Sequence, residues 1–347
     1  MGDVAPRPVV MITGGCGFIG SHLAGSLTMQ GFRVTVVDRV RWPDELVDSV
    51  QIDVTDFDDC VKVVSAVNPG IIFHLAASST IDSAFRDPRG SLAVNIGGTM
   101  NMLEAARTSC TDLRRFVLAS TDKVYGELSG EAYVETSALE ARGAYDVGKL
   151  SADNLVRLYG YEFGLPVTTI RLCNVFGPGD PNTGSRIVPR TLDRLFAPAG
   201  ALPPVIYEDS LGHGRDYVYV SDVVRALETL AFERAARGEV FNMAPAAHRT
   251  TLELVEELID EASRACEPSD RERANAIAAN GYEVISGAGS PSVLRRQHCA
   301  APKLTALGFR NRVSFSDGLR RTIGSFMRDR GVGGRTFARP EGGRLPS

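Results

Sequence analysis

Paired cysteines, clustered histidines, long apolar runs and a strong charge of either sign are all missing from this 347-residue sequence. The six cysteines (16, 60, 110, 173, 266 and 299) include no CxxC pair, and the five histidines (22, 74, 213, 248 and 298) are equally dispersed. Neither set has metal-ligand spacing, and isolated thiols suit a reducing compartment. No stretch has membrane-spanning length, and residues 1–8 lead straight into an apolar strand without a signal peptide. A net charge of −4 gives no general attraction to nucleic acid or to an anionic membrane. The expectation is a metal-free cytoplasmic protein. With 44% apolar and 23% charged residues the composition is that of an ordinary globular chain, long enough for two domains.

What is present begins at residues 9–13, an apolar, β-branched strand that runs into GGCGFIG at 14–20. Gly14, Gly17 and Gly20 have the spacing that lets a backbone turn tightly, approach a pyrophosphate and pack a helix on a sheet. The helix that follows opens near Phe18 and stops at Gly31, with its first N–H groups facing the phosphates. A second strand, 33–37, ends in Asp38, where a carboxylate grips ribose hydroxyls. Asp38 argues for NAD over NADP, although Arg39 and Arg41 lie close by. Residues 52–54 read as the end of a third strand, with Asp53 free to accept from an adenine amino group or to serve as a loop carboxylate. A fourth strand, 71–74, leads into the small residues LAA at 75–77, and 91–107 reads as one long helix carrying Asn95.

The chemistry concentrates between residues 116 and 149. A buried strand, FVL, spills into Ser120, Thr121, Asp122 and Lys123. Ligands of open parallel sheets bind outside the carboxyl ends of strands, so this cluster stands where reaction occurs. Tyr145 and Lys149 follow at i and i+4 on a helix, a phenol beside an ammonium that would lower its pKa. The alternation of strands and helices through residue 171 predicts an α/β fold, a Rossmann-type doubly wound parallel sheet. Residues 1–172 would form that domain, with part of the later chain returning to it. A smaller α/β domain spans 173–330, and 331–347 reads as a disordered tail.

TGGCGFIG, Asp38, LAA, STDKVYG, YDVGK and NVFGPG stand in the order and spacing of extended short-chain dehydrogenases/reductases, over about residues 8–325. The chain resembles that family, and within it Thr121-Asp122-Lys123 is similar to the triplet of nucleotide-sugar 4,6-dehydratases of the CDP-glucose type. The resemblance implies tightly held NAD contacted by Phe18, Ile19, Arg39, Val54, Leu75, Ala76, Ala77, Asn95, Ser120 and Cys173, besides the residues above. It also implies a nucleotide-diphospho-sugar held by Ser79, Thr121, Asn174, Arg186, Ile187, Val188, Tyr207, Arg215 and Arg296, and a homodimer. A 4,6-dehydratase removes a proton from C5 and delivers one to the departing 6-hydroxyl, work beyond that of a 4-epimerase. Asp122 is expected to protonate O6 and Lys123 to serve C5, while Tyr145, Lys149 and Thr121 deprotonate O4. A 4-epimerase or decarboxylase on the same scaffold is the alternative, and a non-catalytic NAD-binding protein is disfavoured by the surviving Tyr–Lys pair. The chain departs from the family pattern in SSTIDSAF after LAA, at Ala301 before Lys303 and over 264–294.

Overall fold

The computed structural model describes residues 7–287 and 293–332. The first half alternates β1 (Val10–Thr13), α1 (Phe18–Met29), β2 (Val34–Asp38), β3 (Asp48–Gln51), α2 (Phe57–Val67), β4 (Ile71–His74), α3 (Ile81–Arg86), α4 (Pro88–Leu92), α5 (Thr99–Ser109), β5 (Arg115–Thr121), α6 (Ala144–Phe163) and β6 (Val167–Leu172). The second continues with β7 (Asn174–Phe176), α7 (Ile187–Leu195), β8 (Val205–Tyr207), β9 (Gly214–Tyr219), α8 (Val220–Phe232), β10 (Val240–Asn242), β11 (Ala247–Thr250), α9 (Thr251–Cys266), α10 (Arg271–Asn280), β12 (Glu283–Ile285), α11 (Pro302–Ala306) and α12 (Phe315–Asp329).

β1, β4, β5 and β6 are buried along their whole length, as strands covered on both faces must be. They pair in parallel within a seven-stranded sheet of order β10-β6-β5-β4-β1-β2-β3. The chain order reverses between β1 and β4, which opens a crevice at their carboxyl ends. β10 returns to this sheet beside β6 from late in the chain. One apolar layer packs α1 and α8 on the sheet around Leu23, Leu27, Val223 and Leu227. The layer on the other face holds α2, α5 and α6 through Val63, Met102, Leu103 and Val156. Outside the large sheet, β11-β9-β7 and β12-β8 form two small sheets, and α7, α9 and α12 close a separate cluster around Phe176, Leu192, Leu258 and Phe315.

Two sequence expectations are corrected. Residues 52–54 lie beyond β3, which ends at Gln51; Ile52 N–H still bonds to Asp38 O (3.0 Å), after which Asp53 folds into a turn, its Oδ1 accepting from Thr55 N at 2.9 Å. The helix expected over 91–107 is interrupted by a π turn at Ala93–Gly98, where Asn95 turns its side chain inward and Thr99 Oγ1 donates to Asn95 O at 2.7 Å. Within 264–294, α10 packs on α9 through Ala274 and Ile277. Residues 333–347 of the expected tail lie outside the described residues, as do 1–6 and 288–292. The capping box at Thr250 and Glu253 is present in full.

Candidate active site

The glycine turn is shaped by backbone packed on backbone. Gly14 has φ 70°, and a Cβ there would stand 2.6 Å from Ala76 N. A Cβ on Gly20 would stand 2.3 Å from Gly14 O. Gly17 is the N-cap of α1 and offers no side chain to the first turn, which contains no acidic residue. The N–H groups opening α1, at Phe18, Ile19 and Gly20, are therefore left for an anion, as a pyrophosphate requires. Asp38, at the end of β2, accepts from Cys16 N (3.0 Å) and Val40 N (3.3 Å) and fixes the rim of this turn. Arg39 is exposed, whereas Val54 is buried beneath the π turn, its side chain 2.6 Å from a Cβ built on Gly98. Leu75, Ala76 and Ala77 follow β4, and Asn95, 1% exposed, ties this edge by accepting from Ser78 N (2.9 Å) and donating to Ser78 O (3.3 Å). These residues fit a dinucleotide laid across the carboxyl ends of β1 and β4.

At the end of β5, Ser120 and Thr121 are 4% exposed and Asp122 is wholly buried. Asp122 and Lys123 open a single 3₁₀ turn, Asp122–Tyr125. Thr121 Oγ1 donates to Asp122 Oδ1 at 3.2 Å, and Lys123 Nζ donates to the same oxygen at 3.3 Å. Asp122 Oδ2 has no partner among the described residues. Lys149 Nζ donates to Ala119 O at 2.8 Å, and burial lowers its pKa to about 8, with Asp153 opposing the shift. Cys173, buried between β6 and β7, has its thiol pushed up by burial and then by Asp122.

Tyr145 departs from expectation. Its phenol is hydrogen-bonded to Thr121 but is pushed up to about 12, chiefly by burial, with Asp146 and Asp122 adding to the shift. The cation that favours its phenolate is Arg186 rather than Lys149. Thr121 in turn donates to Asp122. Tyr145, Thr121 and Asp122 thus stand next to one another at the end of β5.

The second half of the chain supplies the other wall. Arg186 caps α7, with Nη1 3.2 Å from Asp180 Oδ2 and its guanidinium over the Phe18 ring. Ile187 and Val188 form the first turn of α7 and pack into the second cluster. Asn174 Nδ2 donates to Asp216 O at 3.1 Å. The Arg215 guanidinium donates to Arg295 O at 3.0 Å and to Leu294 O. Arg215 and Arg296 are brought together, since Gly214 bridges to Arg296. Tyr207 ends β8 half-exposed, and Ser79 lies exposed just before α3, so neither joins the buried cluster.

Several groups escaped sequence reasoning. Asp146, one residue beyond Tyr145, is 2% exposed with an unpartnered Oδ1; only its place inside YDVGK pointed to it. Glu127 accepts from Arg295 N (2.7 Å) and Arg296 N (2.8 Å), holding the segment that carries Arg296. Asp216, His248 and His298, remote in sequence, converge, and Asp216 Oδ1 lies 2.9 Å from both Nδ1 atoms. Arg171 lies buried between Asp153 Oδ2 and Tyr125 OH, each at 2.8 Å, and joins α6, β6 and the turn after β5.

Fold and site define a nicotinamide-dependent enzyme of the doubly wound α/β class. Residues 10–244 match the NAD dependent epimerase/dehydratase family, and the chain belongs to it. NAD is the cofactor for which its first half is built. It is 29% identical over 340 residues to a trifunctional UDP-glucose 4,6-dehydratase/UDP-4-keto-6-deoxy-D-glucose 3,5-epimerase/UDP-4-keto-L-rhamnose-reductase of Arabidopsis thaliana, covering 93% of this chain and 48% of that protein. The chain thus spans about half the length of that relative. The UDP-glucose 4-epimerase of Thermus thermophilus, solved with NAD, superposes with a TM-score of 0.79 at 29% identity, over 91% of this chain and 98% of that one. A double mutant of DesIV, the dTDP-glucose 4,6-dehydratase of Streptomyces venezuelae solved with NAD, also gives 0.79, at 26% identity over 93% and 98%. No helix among the described residues is long and apolar enough to cross a membrane.

Proposed function

We propose that the protein is an NDP-hexose 4,6-dehydratase, converting a nucleotide-diphospho-hexose to its 4-keto-6-deoxy derivative. The observation that carries this reading is the fully buried Asp122, bonded to Thr121 and Lys123, with its second oxygen unpartnered at the end of β5. Such a buried carboxylate is a cost that a reaction can justify. NAD bound across the glycine turn would take hydride from C4 and return it at C6. Tyr145 then receives the O4 proton while passing its own through Thr121 to Asp122. That relay suits a phenol whose pKa is high, because no free phenolate need form first. Asp122 delivers the proton to O6, and the 6-hydroxyl leaves as water. The O4 proton is thereby consumed at O6, and no net proton is gained or lost.

Residues 173–330, with Arg186, Arg215, Arg296 and Asn174, form the nucleotide-diphosphate side in this reading, and the enzyme works in the cytoplasm. The equal TM-scores to the Thermus epimerase and the DesIV dehydratase favour neither reading, but a 4-epimerase leaves Asp122 and Lys123 without a chemical task. Asp122→Asn separates the two. A dehydratase variant of this kind has no acceptor for the relayed proton, so neither 4-ketohexose, trapped by borodeuteride and weighed, nor water forms. Undiminished interconversion of C4 stereoisomers by the variant identifies an epimerase.

A further inference from the structure

The cleft beside Tyr145 holds a second carboxylate that the reading above leaves without a task. Asp146 is 2% exposed, its Oδ1 has no partner, and the backbone of Gly143 at the N-cap of α6 hydrogen-bonds the group. Tyr145 and Asp146 together line a cavity of about 240 Å³, walled on the α3 and α4 side by Ile81, Ala84, Phe85 and Pro88. That wall is apolar. The charged groups that act on Asp146 are Lys123 and Asp122, from the turn after β5. A buried polar atom without a partner, in a cleft wall beside a candidate proton carrier, points to a group that meets substrate.

Lys123 is poorly arranged to remove a proton from carbon. Its Nζ is the donor in a 3.3 Å ion pair with the buried Asp122, so its nitrogen offers no lone pair to the sugar. We propose that Asp146 is the base that takes the C5 proton, while Lys123 stays an ammonium and stabilises the enolate. The assignment rests on the 4,6-dehydratase reading. The Asp146 carboxylate accepts the proton, and the C5–H electron pair forms the C4=C5 bond of an enolate whose oxygen is hydrogen-bonded by Tyr145. The enolate then collapses: C4=O re-forms, the C5=C6 bond forms, and C6–O6 breaks as Asp122 protonates the departing oxygen. Asp146 exchanges this proton with solvent and finally delivers one to C5 as C6 is reduced. Burial raises the Asp146 carboxyl to about 6, which strengthens it as a base yet leaves it ionised at pH 7.

The test uses whichever of UDP-, dTDP-, CDP- and GDP-glucose the wild-type enzyme dehydrates, prepared with deuterium at C5. Asp146→Asn should form the trapped 4-ketone within about threefold of the wild-type rate, while loss of the C5 label slows by about 10²–10⁴-fold. In the wild type, label loss should rise with pH through about 6 and then level off. Label loss by Asp146→Asn within about threefold of wild type overturns the assignment. So does a wild-type rate that climbs instead through about pH 10, the range of an ordinary lysine. If the variant does not fold, the wild-type pH profile decides alone. If no NDP-glucose loses water, the dehydratase reading itself fails. If water is lost but Asp146→Asn keeps its C5 exchange, only the role of Asp146 falls.

Discussion

At Tyr145, burial above all and then the carboxylates of Asp146 and Asp122 oppose ionisation, so the proposed chemistry uses the phenol as one member of a relay through Thr121. Tyr145→Phe keeps the ring and removes only the proton carrier. It should lower kcat by about 10²–10⁴-fold with an unchanged melting temperature, and retention of more than about a tenth of wild-type kcat would contradict the role. Asp146 also makes a prediction about stability. Its pKa is raised by burial from 3.8 to about 6, so the folded state binds more protons than the unfolded state between those values. Stability contributed by this group is therefore present below pH 4 and lost as pH rises toward 6. Asp146→Asn, which cannot ionise, should melt about 2–4 °C above wild type at pH 7, with the gap closing by about pH 4. Equal melting temperatures at pH 7 would show that the carboxylate carries no burial cost.

Among the elements, the turn from β1 into α1 was legible because its glycines answer a steric demand that few other residues meet. Gly20→Ala places a Cβ 2.3 Å from Gly14 O, a backbone atom that cannot swing aside. The variant should lose about 1–3 kcal/mol of stability. It should also lose the NAD-induced rise in melting temperature, which for wild type at 100 times Kd corresponds to about 2.7 kcal/mol. A normal rise would mean that NAD does not use this turn. The strand carrying STDK and the helix carrying Tyr145 and Lys149 were equally legible, since continuous apolar runs and i, i+4 spacing are local signals. The π turn around Asn95 was not, because nothing within 91–107 announces the contact with Ser78 that holds it. The third strand was misplaced for a related reason: its pairing with β2 fixes the register at Asp48–Gln51, although Ile52 and Val54 look more strand-like. Asp146 and Glu127 act through neighbours distant in sequence, so composition and spacing gave no sign of their partners.

Over the whole molecule, the dinucleotide turn, the β5 cluster and the arginines of the second half meet at the carboxyl edge of one parallel sheet, where a nucleotide-sugar and NAD would face each other. A second feature at this scale is the apolar surface of the outer helices. Leu103 and Leu155 pack into the sheet layer. The residues left outside include Met100 on α5 and Val147, Leu158 and Tyr161 on α6, with Tyr161 88% exposed. We propose that these helices pair two copies of the chain. Leu158→Glu should convert a dimer to a monomer in sedimentation at micromolar concentration, and a wild-type monomer would contradict the pairing. The central claim, that this site dehydrates rather than epimerises, is tested most directly by one incubation. The wild-type enzyme with NAD is given UDP-, dTDP-, CDP- and GDP-glucose in D₂O, and the products are weighed and located by NMR. The account predicts a 4-keto-6-deoxy product that has lost one water and carries deuterium at C5. A product of unchanged mass, inverted at C4 and free of deuterium at C5, would contradict it.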